Sequence, residues 1–172
     1  DLRDAYLRHV VLPEHGEVAM ALWALHAWAL DAAHVSPFLM FSSPEMRCGK
    51  STALALLNWT APRTAFASNI SPAAIFRYIE AARPTLLIDE MDTFIHDNEE
   101  LRGILNSGHT RDTAHVIRLV GDEHEPKEFS TWAPKARQTS RMRSSSVAIA
   151  TASTRFASRV RSQTCWIIGL PA

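Results

Sequence analysis

The sequence predicts an open α/β sheet with helices on its faces, and three observations carry that prediction. Short apolar runs alternate with helical segments of ten or more residues, the pattern of a sheet built through right-handed crossovers. One run, Phe38-Leu39-Met40-Phe41, is continuously apolar, as strands buried on both faces are. Another, Thr85 to Asp89, ends in the acids Asp89-Glu90, as a strand that reaches a solvated edge does. At 172 residues the chain is long enough for one real core, and 47% apolar with 21% charged residues excludes wholesale disorder.

Taken in order, Leu2 to Val11 places apolar residues at 2, 6, 7, 10 and 11, a helical stripe that Pro13 interrupts. Glu14 and Glu17 open a second helix, where acids suit the positive end of the dipole. Its body, Val18 to Ala33, is apolar on more than one face, which predicts packing on both sides. Trp23, Trp28 and Trp59 sit in apolar helical settings and are expected in the core rather than on a base-stacking platform. The first strand follows Pro37, Ser42 to Gly49 is a loop, and Lys50 to Trp59 is a helix that Pro62 ends. Ala65-Phe66-Ala67 is a second short strand.

Ser71 as N-cap and Pro72 at the first helical position start a helix that runs to about Ala82. Thr85 to Asp89 is the third strand, and Asn98 to about Ser107 is a helix with Gly108 as its C-cap. Ala114 to Val120 and Lys127 to Trp132 flank Gly121 to Pro126 as a hairpin. Beyond Lys135 no period persists. The chain therefore divides into a helical segment (1–36) packed on a core (37–136), and an irregular basic tail (137–172).

Eighteen Lys and Arg balance eighteen Asp and Glu, but the balance is uneven along the chain. Residues 1–137 carry 13 basic and 18 acidic side chains, whereas 138–172 carry 5 arginines and no acid. Two cysteines, Cys48 and Cys165, make no disulfide framework, so a reduced, cytoplasmic protein is expected. No signal peptide is expected, and the most apolar run, Val18 to Leu30, is too short to span a bilayer. No membrane association is expected.

The strongest motif is Ser43-Pro44-Glu45-Met46-Arg47-Cys48-Gly49-Lys50-Ser51-Thr52. It follows an apolar strand and opens a helix, the context a Walker A phosphate loop requires. Residues 44–52 would wrap a nucleotide, with backbone N–H groups and the helix N-terminus surrounding its phosphates. Lys50 would place an ammonium on the β- and γ-oxygens, and the Ser51 hydroxyl would ligate Mg²⁺. Gly49 lets the backbone approach the phosphate. The first glycine of the usual pattern is Pro44 here, so the start of the loop departs from the commonest form. Cys48, beside a helix N-terminus and Lys50, is set to favour thiolate, or is simply a small side chain at a tight turn.

Thr85 to Glu90 matches the Walker B form of apolar residues followed by Asp and Glu. A buried strand would deliver Asp89 to the carboxyl edge of the sheet, where it would hold Mg²⁺. Glu90 is the candidate base that activates the attacking water. The 38 residues between Lys50 and Asp89 accommodate a helix, a strand and another helix, which ties the two motifs together.

Together these motifs resemble a family. The sequence is similar to the P-loop ATPase domain, formally a domain of unknown function, that occurs in bacterial, plasmid and phage proteins beside primase or helicase modules. The resemblance rests on Arg8 to Pro13, Ser43 to Thr52, Ala67 to Ala74, Pro84 to Phe94, Asn98 to His109 and Phe129 to Ala136. In that family the loop also reads Ser-Pro-x-x-Arg-Cys-Gly-Lys, so Pro44 looks like a family trait.

The resemblance implies a P-loop NTPase fold, ATP and Mg²⁺ as cofactors, and a role in DNA replication or processing of a mobile element. It also implies a homo-oligomer, and a primase or other replication protein as partner. By similarity to AAA+ and helicase ATPases, the strand near Phe129 to Trp132 should lie beside the Walker B strand. Ser130 or Thr131 would then sense the γ-phosphate. The preceding hairpin, with Arg118 and Lys127, would either touch DNA or carry ordinary surface charges, and Asp122, Glu123 and Glu125 at its tip would repel phosphate. Arg102 and Arg111 are candidates to face a neighbouring subunit.

The family pattern stops at Ala136, before a Leu-Pro-Asp-x-Leu-x-x-Arg-Ser segment that the family carries and this tail lacks. The third base of each codon joined to the first two of the next, from Gln138 onward, can encode x-Leu-Pro-Asp-Ala-Leu-x-x-Arg-Ser. Residues from about Arg137 therefore read as a frameshifted version of the family's segment, which would also explain the Arg, Ser and Ala bias. The other reading is a natural basic tail that binds nucleic acid. A truncated, non-catalytic nucleotide-binding product is accordingly the alternative to an ATPase.

Overall fold

The computed structural model describes residues 1–42, 48–68, 70–89, 99–139 and 166–169, the last four as backbone only. In chain order the elements are α1 (Leu2–Leu7), α2 (Gly16–Trp28), β1 (Phe38–Ser42), α3 (Lys50–Thr60), β2 (Thr64–Ala67) and α4 (Pro72–Ala82). They continue with β3 (Thr85–Ile88), α5 (Glu99–Ser107), β4 (His115–Val120), β5 (Glu125–Ser130), β6 (Lys135–Thr139) and β7 (Trp166–Gly169). This is a mixed α/β fold. Four parallel strands run in the order β2-β3-β6-β1, β7 adds an antiparallel strand beside β1, and β4 and β5 form a separate hairpin.

Strand alternation divides the core into two layers. Leu39 and Phe41 of β1, Leu87 of β3 and Ala136 of β6 pack with Tyr6, Met20, Trp23, Leu54 and Leu57 from α1, α2 and α3. Phe38, Leu86 and Ile88 pack on the other side with Ile75, Phe76 and Ile79 of α4, Leu101, Ile104 and Leu105 of α5, and Phe129 of the hairpin. Local chemistry sets the helix ends. Ser71 accepts a bond from the Ala74 amide at 3.3 Å, with Pro72 in the first turn of α4.

Three expectations are corrected. The stripe from Leu2 to Val11 is helical only to Leu7; the His9 and Val10 amides both turn back to the Tyr6 carbonyl. The second helix stops at Trp28 and is not packed on both sides. Met20, Ala21, Trp23, Ala24 and Ala27 face the sheet, but Leu22, Leu25 and Trp28 are exposed, and so is Trp59 at 76%. A helix that caps one face of a sheet has only one layer to bury against, whatever its composition. Among the described residues nothing covers the outer face.

The third correction concerns the strand beside β3. It is not Phe129 to Trp132, whose first two residues close the hairpin, but β6, which pairs with β3 on one side and β1 on the other. The sheet therefore continues past Ala136 through Arg137, Gln138 and Thr139, and β7 adds a strand from the tail. A stretch without hydrophobic period enters the sheet, and the lysine that it buries finds partners. Lys135 is wholly buried, and its ammonium donates to the carbonyls of Gly108 (3.2 Å), Thr131 (3.0 Å) and Ala133 (3.2 Å).

Gly108 is glycine for that reason. A Cβ there would fall within 2.2 Å of both the Lys135 Nζ and the Thr131 carbonyl oxygen.

Candidate functional site

The carboxyl ends of β1, β6 and β3 lie on one edge of the sheet, and α3 begins there. Gly49 takes φ of 91°, a left-handed conformation open chiefly to glycine, and so lets β1 turn into α3. Its N-cap, Gly49, has no side chain with which to cap α3, in contrast to Ser71 of α4. Its first-turn N–H groups, from Lys50, Ser51 and Thr52, have no partner within the helix, which makes this end receptive to an anion. Cys48 is buried, and the Lys50 ammonium donates to its sulfur at 3.4 Å.

Across the edge, Asp89 directly follows β3. Ile88 pairs with Arg137 and Phe41 pairs with Gln138, so Asp89 comes level with Gln138, one strand away from the end of β1. The Asp89 Oδ1 and the Ser42 hydroxyl are buried without a hydrogen-bond partner. Buried polar atoms are normally paired, and the same lack of a hydrogen-bond partner holds for His26 Nε2 and Trp132 Nε1 elsewhere in the molecule. The Ser51 hydroxyl donates to Gln138 Oε1 at 3.4 Å. Hydroxyl and carboxylate oxygens are the hard ligands that Mg²⁺ takes, usually with several waters retained, so Ser51 and Asp89 fit that ion.

Of the residues singled out from sequence, Cys48, Gly49, Lys50, Ser51, Thr52 and Asp89 are gathered on this edge. Pro44, Glu45, Met46, Arg47 and Glu90 lie outside the described residues.

Ser130 and Thr131 are not at the site. Thr131 precedes β6 by four residues, and Lys135 is level with Phe38, the first residue of β1, so Thr131 belongs to the opposite edge. At about 3.3 Å per residue, β6 alone separates the two edges by more than 10 Å. The Thr131 hydroxyl is fully buried and lies 3.0 Å from the Ser107 hydroxyl, and the Ser130 amide donates to Glu80 at 2.8 Å. Both act in packing the hairpin. Gln138, which does reach the site, was missed because a glutamine outside any motif carries no signal in one sequence.

The other candidate cations are engaged within the chain. Arg118 pairs with Glu100 at 2.9 Å and stacks over Phe76, and Lys127 lies over Phe129. Lys127 stays exposed and Arg118 is half-buried, but both are engaged by neighbours within the chain, which favours the ordinary reading over a DNA contact. Arg102 pairs with Glu99 at 3.0 Å, and Arg111 donates to the Asp31 carbonyl at 2.6 Å.

Compared with known proteins, the chain matches no protein-family model, no curated protein and no solved structure. Among the described residues no helix is long and apolar enough to cross a membrane.

Proposed function

We propose that the chain is a P-loop domain of AAA+ or helicase type that binds ATP with Mg²⁺ and hydrolyses it, in the replication or processing of phage or other mobile-element DNA. The observation that carries this reading is the shared edge. The start of α3, with Lys50 and Ser51, and Asp89 at the end of β3 lie on the same edge of the sheet, with β6 between β1 and β3.

Lys50 would neutralise phosphate charge as it develops, and Ser51 and Asp89 would hold Mg²⁺, which supplies further charge neutralisation when bound. Glu90, next along the chain from Asp89, would take a proton from the attacking water. An arginine from a neighbouring copy would complete such a site, so an oligomer and a primase-like partner belong to the same proposal.

Turnover and binding are separable here. Lys50→Ala is expected to abolish nucleotide binding, whereas Glu90→Gln should retain binding and lower ATP turnover at least about 100-fold, the usual worth of a general base. Equal phosphate release by wild type and both variants would eliminate the hydrolase.

A second reading, nucleotide binding without turnover, is favoured by the composition of β6: Lys-Ala-Arg-Gln-Thr is an unusual central strand. It is the part of the sheet that crosses the point where a shifted frame would begin. Binding that survives in wild type with no turnover would support it, and the coding DNA would show whether the family's segment continues in the other frame.

A further inference from the structure

We infer that Gln138 is a positioning residue for the metal-ligating serine, and that it sets how strongly nucleotide binding depends on Mg²⁺. The inference rests on the nucleotide-binding reading and goes one residue beyond it. Three observations support it. Gln138 is 7% exposed, so its side chain is held in place rather than sampling solvent. It stands on β6 between the ends of β1 and β3, paired with Phe41 and level with Asp89. Its Oε1 accepts the Ser51 hydroxyl hydrogen at 3.4 Å, whereas the buried Asp89 Oδ1 has no hydrogen-bond partner.

A hydroxyl has one hydrogen and two lone pairs. With the hydrogen committed to Gln138, the lone pairs of Ser51 are the part left for a cation. The Asp89 oxygen stays available because it does not take that hydrogen. Outer partners of this kind fix ligand orientation, and removing them typically weakens metal affinity about 10- to 100-fold. The Ser51–Gln138 bond is long, so the effect belongs at the lower end of that range.

Sequence places Gln138 beyond Ala136, where the family resemblance has ended. The contact is a property of this chain and is not carried over from the family.

The test is a titration of the purified chain with a fluorescent ATP analogue, in EDTA and across a series of Mg²⁺ concentrations. Gln138→Ala should raise the Mg²⁺ concentration for half-maximal enhancement about 10-fold while leaving affinity in EDTA unchanged. Gln138→Met keeps the side chain's length and serves as the acceptor-free variant should alanine prevent folding.

An unchanged Mg²⁺ midpoint in the acceptor-free variants overturns the inference and leaves the nucleotide-binding reading standing. Equal losses with and without Mg²⁺ also overturn it, because they mark a packing role. Absence of analogue binding by wild type under every condition overturns both.

Discussion

β3 and β6 are neighbours in one sheet, both buried, and opposite in composition. Thr-Leu-Leu-Ile in β3 is buried at every residue and gives its side chains to the two apolar layers. Lys-Ala-Arg-Gln-Thr in β6 contributes Ala136 to a core layer, and its buried polar ends turn to partners at the two edges of the sheet. Lys135 serves three carbonyls at one edge, and Gln138 reaches Ser51 at the other. A central strand can thus give its side chains to apolar layers, as β3 does, or carry buried polar side chains that bond at the edges of the sheet, as β6 does with Lys135 and Gln138. The second way brings polar side chains to the edges of the sheet, where the first would bring none.

The largest effect that separates the two strands is expected in β3. Leu87 is wholly buried in the layer beneath α3, and Leu87→Ala should cost about 2–5 kcal/mol in denaturant unfolding, the transfer term plus the cavity left behind. A smaller loss would mean that the layer collapses to fill the space.

The next effect belongs to β6 and is read through pH. Burial pushes the Lys135 ammonium from its ordinary 10.5 down to about 7. Between about pH 7 and 10.5 the unfolded chain therefore binds a proton that the folded chain lacks, so this lysine makes stability rise with pH across that window. Below it the group is charged in both states and the cost of burying the charge is felt in full. Tyr6, raised by burial in the α1 layer, works the other way above its ordinary 10.0, so the cleanest interval ends near there. Thermal unfolding of Lys135→Met should lack the rise that wild type shows between pH 7 and 10. Parallel profiles for the two proteins would show that the three carbonyls hold the ammonium charged throughout.

The smallest effect tests what Thr131 does. Thr131→Val is nearly isosteric and removes the bond to Ser107, so it should cost about 1 kcal/mol of stability. Binding of an ATP analogue should be unaffected. A loss of nucleotide response in this variant would return Thr131 to the site.

Elements whose ends carry their own chemistry were legible from sequence. Ser71-Pro72 marked the start of α4, Gly49-Lys50 the start of α3, and the apolar run at Phe38 the strand between layers. The hairpin was legible too, although its second strand begins at Glu125, two residues before the expected start. β6 was not legible, because its burial depends on carbonyls supplied by Gly108, Thr131 and Ala133. The exposure of Trp28 and Trp59 was illegible for a related reason: apolar composition reports what a helix can bury, not whether a second layer exists to cover it.

The sequence by itself determined the alternation of strands and helices, the glycine turn before Lys50 and the acid at the end of β3, since each follows from local propensity or from residues close in the chain. Only the tertiary structure decided which strand lies between β1 and β3. That choice moved Ser130 and Thr131 to the far edge and brought Gln138 to Ser51, 87 residues away along the chain. The physical reason is that sheet order is settled by long-range pairing and by the satisfaction of buried polar groups, and neither leaves a local mark in a single sequence.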